Sequence, residues 1–197
     1  MRFSEKEEYL RKKDKKLKKI IDANGHIVFK SNKNYQFDIL VGIVISQFIS
    51  TKASSAIFLN VKNFFNKDYL NEKDFQKLSI NDIKHLGLST SKAKTIKKLS
   101  ELYLSKNFGD LTKISHKNMN DKLLSVFGIG PWSVNMFEIF CIGNPDVFSS
   151  KDAGLRMAMN KAGFIESNSE WNEYDDYARK WSPYRSIACV HLWKTVD

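Results

Sequence analysis

Apolar residues recur at intervals of three and four along most of this chain, which is the spacing that places side chains on one face of a helix. Ala93, Ile96, Leu99 and Leu102 make one such stripe, and lysines occupy positions off it. No segment keeps up the alternation of apolar and polar residues that a half-buried strand requires. The pattern therefore predicts an all-α protein.

Capping residues and glycines indicate where these helices begin and end. Ser79 with Asp82 three residues later has the capping-box pattern, and Gly87 is expected to end that short helix. Ser50 and Ser89 are expected to open the helices that follow them. The remaining helices are predicted over residues 5–21, 37–49, 115–126, 131–142, 150–162, 170–180 and 183–195, and the connector 26–34 has room for one strand at most.

The composition is that of a folded chain with room for a sizeable core. Its 197 residues suffice for one domain or two small lobes, and a content of 42% hydrophobic and 27% charged residues excludes a disordered chain. The longest apolar run, residues 39–45, is far shorter than the ~20 residues of a membrane span. Residues 1–10 are charged, so we expect no signal peptide and no membrane partner.

Cysteine content and charge narrow the choice of ligands. Cys141 and Cys189 lie too far apart for a CxxC-type zinc or redox motif, and an iron–sulfur cluster needs about four such ligands. We therefore expect no zinc, no iron–sulfur cluster and a reducing setting. Lysine and arginine outnumber aspartate and glutamate by 32 to 22. The resulting net charge of +10 favours a polyanionic partner, although a solvated lysine-rich surface would have the same composition.

The segment Gly128-Ile129-Gly130-Pro131 predicts a tight hairpin between two helices. Pro131 suits the first turn of the second helix, and the two glycines allow a sharp turn and a close approach to another surface. The backbone N–H groups at the start of such a helix bind anions. Ile129 is expected to pin the hairpin against the flanking helices, and an ordinary corner between two helices is the alternative.

The hairpin and the segment after it resemble a known family. Residues 124–135 are similar to the helix-hairpin-helix of the DNA glycosylase superfamily, and residues 146–156 resemble the segment that carries its catalytic aspartate. Three further segments resemble the DNA-3-methyladenine glycosylase II branch of this superfamily, namely residues 45–53, 87–93 and 181–193. Taken together, the similarity extends over about residues 10–195.

This resemblance implies a two-lobed, all-α helix-hairpin-helix glycosylase fold, with the active-site cleft between the lobes and without an N-terminal β domain. Residues 1–197 would form a single glycosylase unit. One lobe would span about residues 35–145 and include the hairpin, 123–135, and the other would join residues 1–34 to residues 146–197.

The activity that the resemblance implies is hydrolysis of an N-glycosidic bond in damaged DNA. An alkylated purine of the 3-methyladenine or 7-methylguanine type would be flipped out of the double helix and released, which leaves an abasic site for base excision repair. Two alternatives stay open: a glycosylase of the same fold for hypoxanthine or oxidised guanine, and a non-catalytic DNA-binding protein. The expected protein is a monomer whose partner is double-stranded DNA with a damaged base. Its expected location is the cytoplasm, on the nucleoid, in a bacterium or archaeon, or the nucleus in a eukaryote.

The resemblance assigns the catalytic role to Asp152, which is expected just inside a helix that Ser149 or Ser150 could cap. A fixed carboxylate stabilises the positive charge that develops on the deoxyribose and orients the attacking water. Family members that also cleave the strand carry a lysine nucleophile two residues after the second hairpin glycine. This chain has Trp132 there, so no lyase activity is expected, and Lys151 occupies no position that the family uses for a nucleophile.

The resemblance also implies which side chains meet the flipped base. Those expected around the base are Trp132, Trp193 and Gln47, with a place in the core as the alternative for the tryptophans and a backbone contact for Gln47. Phe48 is expected to fill the gap that the base leaves, although a place in the core is an equal alternative. Asp146 is expected to be structural.

Contacts with the DNA backbone are expected from the hairpin and from one lysine-rich helix. The residues concerned are Gly128, Gly130, Trp132, Lys92 and Lys94. No cofactor is required, but main-chain carbonyls of the hairpin could hold a structural Na⁺ or K⁺, namely those of Leu124, Val126 and Ile129.

Overall fold

The computed structural model describes residues 3–196, in which helices are the only regular secondary structure, and the all-α prediction is confirmed. The α-helices of this part of the chain are Glu5–Lys13 (α1), Lys15–Asn24 (α2), Gln36–Ser46 (α3), Thr51–Phe65 (α4), Ile80–His85 (α5), Thr90–Leu104 (α6), His116–Leu124 (α7), Pro131–Phe137 (α8), Ala153–Lys161 (α9), Trp171–Ala178 (α10) and Arg185–Trp193 (α11). A π-helical turn, Glu138–Ile142, continues α8, and short 3₁₀ turns lie at Lys33–Tyr35, Glu72–Phe75, Leu111–Lys113 and Arg179–Trp181. None of the described helices is long and apolar enough to cross a membrane.

The helices form two compact units. The first unit joins the chain up to Ser31 to the chain from Gly143 onward, and it contains α1, α2 and α9 to α11. The second unit is Asn32–Ile142, and it contains α3 to α8. Each unit has its own set of buried apolar side chains.

The core of the first unit surrounds Trp181, whose side chain is fully buried. The rings of Phe148 and Phe164 meet its indole edge-on, with centroids at 6.1 and 5.6 Å. Leu17 and Leu155 bring α2 and α9 into the same cluster. Burial of such large apolar side chains supplies the main driving force for folding.

The helix predicted over residues 5–21 is in fact two helices, and the single-helix prediction is wrong. Asp14 interrupts it with an extended backbone (φ −144°, ψ 113°) and caps α2 by accepting the N–H groups of Lys16 and Leu17. The second carboxylate oxygen of Asp14 accepts the indole N–H of Trp181 at 2.9 Å. Because Asp14 gains these bonds only outside a helix, the chain turns there although its apolar pattern continues.

The core of the second unit is centred on α3, whose apolar sequence is buried over most of its length. Ile96 and Leu99 of α6 and Phe137 of α8 are also fully buried, as the stripe on α6 predicts. The helix predicted over 37–49 ends at Ser46, because Gln47 leaves the helical region and Phe48 has φ +58°. The connector 26–34 forms no strand.

Most predicted caps are observed. Ser50 and Ser89 each accept a backbone N–H from the first turn of the helix that they open, and Ser79 and Asp82 form a capping box. One prediction is wrong at the start of α9: neither Ser149 nor Ser150 is the N-cap, because Asp152 itself holds that position. The predicted catalytic residue therefore precedes the helix instead of lying inside it.

Candidate active site

Asp152 is the N-cap of α9 and is largely buried, with 8% of its surface exposed. Its Oδ1 atom accepts the backbone N–H of Leu155 at 2.7 Å and the indole N–H of Trp193 at 3.0 Å. Two N–H donors and the positive end of a helix dipole stabilise negative charge at this position. The carboxylate is therefore held in one orientation by two different elements, α9 and α11.

Trp193 reaches Asp152 because residue 154 is a glycine. A Cβ atom at Gly154 would lie 3.2 Å from Oδ1 of Asp152 and 3.3 Å from Cδ1 of Trp193, which is tighter than ordinary contacts. The absence of a side chain thus leaves room for the indole on the carboxylate. Sequence reasoning missed Gly154, since a glycine two residues after an aspartate carries no signal of what packs on it.

Asp146 has the structural role that the sequence suggests. Its carboxylate accepts the guanidinium N–H of Arg185 at 2.7 Å and the hydroxyl of Ser182 at 2.8 Å. Burial alone would raise the pKa of Asp146, but the hydrogen bonds from Arg185 and Ser182 outweigh it and lower the pKa. The ion pair fastens the loop before α9 to the start of α11.

In the second unit, the predicted hairpin joins α7 to α8. Gly128 has φ +82°, and Ile129 is buried and donates its N–H to the carbonyl of Val126 at 3.0 Å. A Cβ atom at Gly128 would lie 2.1 Å from Oγ1 of Thr95 on α6, so only glycine fits against that helix. Thr95 was not singled out from the sequence, because nothing in the chain around it indicates a hairpin 33 positions later.

Gly130 differs from Gly128. It is the N-cap of α8 with φ −112°, which many residues adopt, and a Cβ atom there would meet no atom within 4 Å. Pro131 takes the first helical position, as predicted, and Trp132 follows it as a half-buried side chain. The start of α8 is therefore open on the side of Gly130, and backbone N–H groups at such a position suit an anion.

Gln47 and Lys92 are engaged inside the second unit. The side-chain nitrogen of Gln47 donates to the carbonyl of Gly128 and to the hydroxyl of Ser133, both at 2.9 Å. The ammonium of Lys92 donates to the carbonyl of Ile45 at 2.8 Å, and burial lowers the pKa of Lys92. These bonds attach the end of α3 to the hairpin and to α6, whereas Lys94 is exposed.

Phe48 stands in the loop between α3 and α4 with its side chain fully exposed. The alternative that places it in the core is therefore wrong. A non-glycine residue with φ +58° is uncommon, and here it turns the ring outward between Gln47 and Ile49. The ring is therefore accessible to a ligand.

The hairpin carbonyls named as cation ligands belong to Leu124, Val126 and Ile129. They are hard oxygen donors of the type that Na⁺ and K⁺ prefer, and Val126 already accepts one hydrogen bond, from the N–H of Ile129. Among residues 3–196, no cluster of three or more His, Cys, Asp or Glu side chains could hold a metal ion.

Comparison with known proteins shows which family this chain belongs to. The model of the HhH-GPD superfamily of base excision DNA repair proteins matches residues 41–183, and the chain belongs to this superfamily. A putative DNA-3-methyladenine glycosylase of Bacillus subtilis is 26% identical over 133 residues, which cover 66% of this chain and 46% of that protein. The chain spans less than half the length of this relative, and also less than half the length of a probable bifunctional transcriptional activator/DNA repair enzyme AlkA of Mycobacterium tuberculosis that it matches.

Solved structures agree with this assignment. The 3-methyladenine DNA glycosylase Mag1 of Schizosaccharomyces pombe, solved in complex with abasic DNA, superimposes with a TM-score of 0.87 at 22% identity, over 98% of this chain and 96% of that one. DNA-3-methyladenine glycosidase from Bacillus halodurans is 26% identical with a TM-score of 0.71, over 98% and 89% of the two chains. The helix-hairpin-helix glycosylase fold is thereby confirmed.

Proposed function

We propose that this protein is a monofunctional DNA glycosylase of base excision repair that hydrolyses the N-glycosidic bond of alkylated purines. The observation that carries the proposal is the Asp152 carboxylate, fixed at the N-terminus of α9 by Leu155 and Trp193 in a chain of the HhH-GPD superfamily. Relatives that are named 3-methyladenine glycosylases support the choice of substrate.

Asp152 has the properties that this reaction needs. The bond between C1′ and the purine nitrogen breaks, and the base leaves with the electron pair, which develops positive charge on the deoxyribose. The carboxylate stabilises that charge, and water then attacks C1′ and loses a proton, giving an abasic site. Because an alkylated purine is cationic, it leaves as a neutral base and needs no strong general acid.

The residue after the hairpin supports hydrolysis by water over a lyase reaction. A lyase forms a Schiff base between a lysine amine and C1′. At the matching position this chain has Trp132, whose ring has no such amine. We therefore expect an intact strand after the base is released.

Several groups would hold the DNA. The open start of α8 at Gly130 would take a phosphate through backbone N–H groups, and the net charge of +10 would add salt-dependent attraction. The exposed Phe48 would enter the stack where the damaged base has left it, and the electron-rich rings of Trp132 and Trp193 would face the cationic base. A monovalent cation on the carbonyls of Leu124, Val126 and Ile129 would stiffen the hairpin.

The test is a panel of duplex oligonucleotides carrying one 7-methylguanine, hypoxanthine or 8-oxoguanine, together with methylated genomic DNA that contains 3-methyladenine. We expect release of the alkylated purines, and strand breaks only after alkali. Release of hypoxanthine or 8-oxoguanine alone would support a different lesion. A strand break without alkali, or a complex trapped by borohydride, would contradict the monofunctional mechanism, and no base release at all would leave a DNA-binding protein.

A further inference from the structure

The first unit carries an exposed tryptophan between two cations. Trp171 opens α10 with 53% of its surface exposed, in contrast to the fully buried Trp181 of the same unit. The ammonium of Lys151 and the guanidinium of Arg156 lie 5.9 and 5.6 Å from the centre of its ring. We call Lys151, Arg156 and Trp171 the Trp171 patch.

Hydrogen bonds hold the patch in place before any ligand binds. Arg156 donates to the carbonyl of Ser150 at 2.5 Å, and the hydroxyl of Ser150 donates to Asp175 of α10 at 2.7 Å. The loop before α9 is thus tied to both helices that supply the patch. A site whose groups are fixed in advance binds its ligand at a lower entropic cost.

Two carboxylates of α10, the helix that carries Trp171, are engaged in hydrogen bonds. Asp175 accepts the Ser150 hydroxyl, and Glu173 accepts the backbone N–H of Glu170 at 2.9 Å and the hydroxyl of Ser169 at 3.2 Å. Two cationic groups, those of Lys151 and Arg156, lie within about 6 Å of the centre of the indole ring. An anion with a flat or apolar portion is the ligand that suits such a surface.

The place of the patch in the chain indicates which anion it would bind. Lys151 directly precedes Asp152, so their Cα atoms are ~3.8 Å apart, and Arg156 lies one turn further along α9. A strand whose deoxyribose reaches the Asp152 carboxylate would therefore pass close to the residues that carry these two cations.

From this placement we propose that the Trp171 patch binds the lesion-carrying DNA strand beside the flipped nucleotide. Lys151 and Arg156 contact the phosphates, and the exposed ring of Trp171 packs against the sugar of the adjoining nucleotide. The proposal rests on the proposed function for its choice of strand. It gives Lys151 a role in binding DNA. This agrees with the sequence, in which Lys151 is not at the position where lyase members of the family carry their nucleophile.

The experiment measures affinity for a duplex with an abasic site at several salt concentrations, because this measurement needs no catalysis. We expect Trp171→Ala to weaken binding by about five-fold, because the apolar contact of the ring with the sugar is lost, and Trp171→Phe to keep most of the affinity. Lys151→Gln should lower the slope of log affinity against log salt by about one unit. The control is Met157→Ala, since Met157 of α9 is also 53% exposed.

Three outcomes distinguish the possibilities. Wild-type affinity and salt slope in both Trp171→Ala and Lys151→Gln would overturn the proposal, as would an equal loss in Met157→Ala. If the wild type releases no alkylated purine but Trp171→Ala still weakens DNA binding, the proposed function fails and the patch stands.

Discussion

The indole N–H of Trp193 and the carboxylate of Asp152 are 3.0 Å apart, and the same oxygen accepts the N–H of Leu155 that begins α9. A candidate catalytic carboxylate is thereby fixed by a helix start and by a side chain from α11. This geometry gives Trp193 a role as a positioning residue, in addition to the contact with the base expected from the sequence.

Replacing Trp193 tests this role. Trp193→Phe keeps an aromatic ring but removes the N–H donor, so Oδ1 of Asp152 loses the hydrogen bond from α11, and we expect about ten-fold slower base release under single-turnover conditions. Trp181→Phe is the matched control, because it removes a comparable bond to Asp14. The control should lower the melting temperature with little effect on the rate, and similar rates in Trp193→Phe and the wild type would refute the role.

Phe48 offers a substitution without a cost in stability. Its side chain is fully exposed, so Phe48→Ala should leave the free energy of unfolding within about 0.5 kcal/mol of the wild type. We expect base release to slow markedly, since the gap in the DNA stack is left empty. Phe64→Ala on α4, which removes another ring exposed by 57%, should leave the rate of base release unchanged. Equal activity of the two variants would exclude Phe48 as the wedge.

The contact between Gly128 and Thr95 predicts a specific loss of stability. Gly128→Ala combines a positive φ with a clash at 2.1 Å, and we expect it to lower the free energy of unfolding by about 3 kcal/mol. Gly109 also has a positive φ, +63°, but a Cβ atom there would meet no atom within 4 Å. Gly109→Ala should therefore lower the free energy of unfolding by only about 1 kcal/mol. Urea unfolding measures both, and equal losses would mean that the packing on α6 contributes nothing.

Acidification should destabilise the first unit through Glu7 and His191, which are fully buried and 3.2 Å apart. Burial lowers the pKa of His191 by more than Glu7 raises it. Burial alone would raise the pKa of Glu7, but hydrogen bonds from Ile27, Ser4 and His26 outweigh it and lower the pKa to about 2. In both cases the unfolded chain binds protons more readily, so stability is lost as pH falls, first below 6.5 and then from 4.5 towards 2.

Glu7→Gln tests this dependence. The variant should lose about 3 kcal/mol at pH 7 and show a shallower decline in stability between pH 5 and pH 3 than the wild type. Glu8→Gln is the control on the same helix, since Glu8 is 43% exposed and pairs with Arg11 near the surface. A decline in Glu7→Gln as steep as in the wild type would show that Glu7 does not carry the effect.

Local signals in the sequence were enough for most helix boundaries, because caps such as Ser50 and Ser79 act on neighbours within three residues. They failed at Asp14, which caps α2 although the apolar pattern continues through it. They also failed at Asp152, which caps α9 although two serines nearby are equally good candidates. The partners of Gln47 could not be predicted either, since Gly128 lies 81 positions away. The same holds for Trp171, because exposure depends on what the fold leaves uncovered.

The most direct test of the mechanism is Asp152→Asn, measured by single-turnover release of an alkylated purine and by affinity for abasic DNA. Asparagine is an equally good N-cap and still accepts the N–H groups of Leu155 and Trp193, so the variant should stay folded. We expect release to slow by about 100-fold or more, because the charge that stabilises the positive deoxyribose is lost, while the affinity stays equal or rises. Release at the wild-type rate would remove Asp152 from the chemistry.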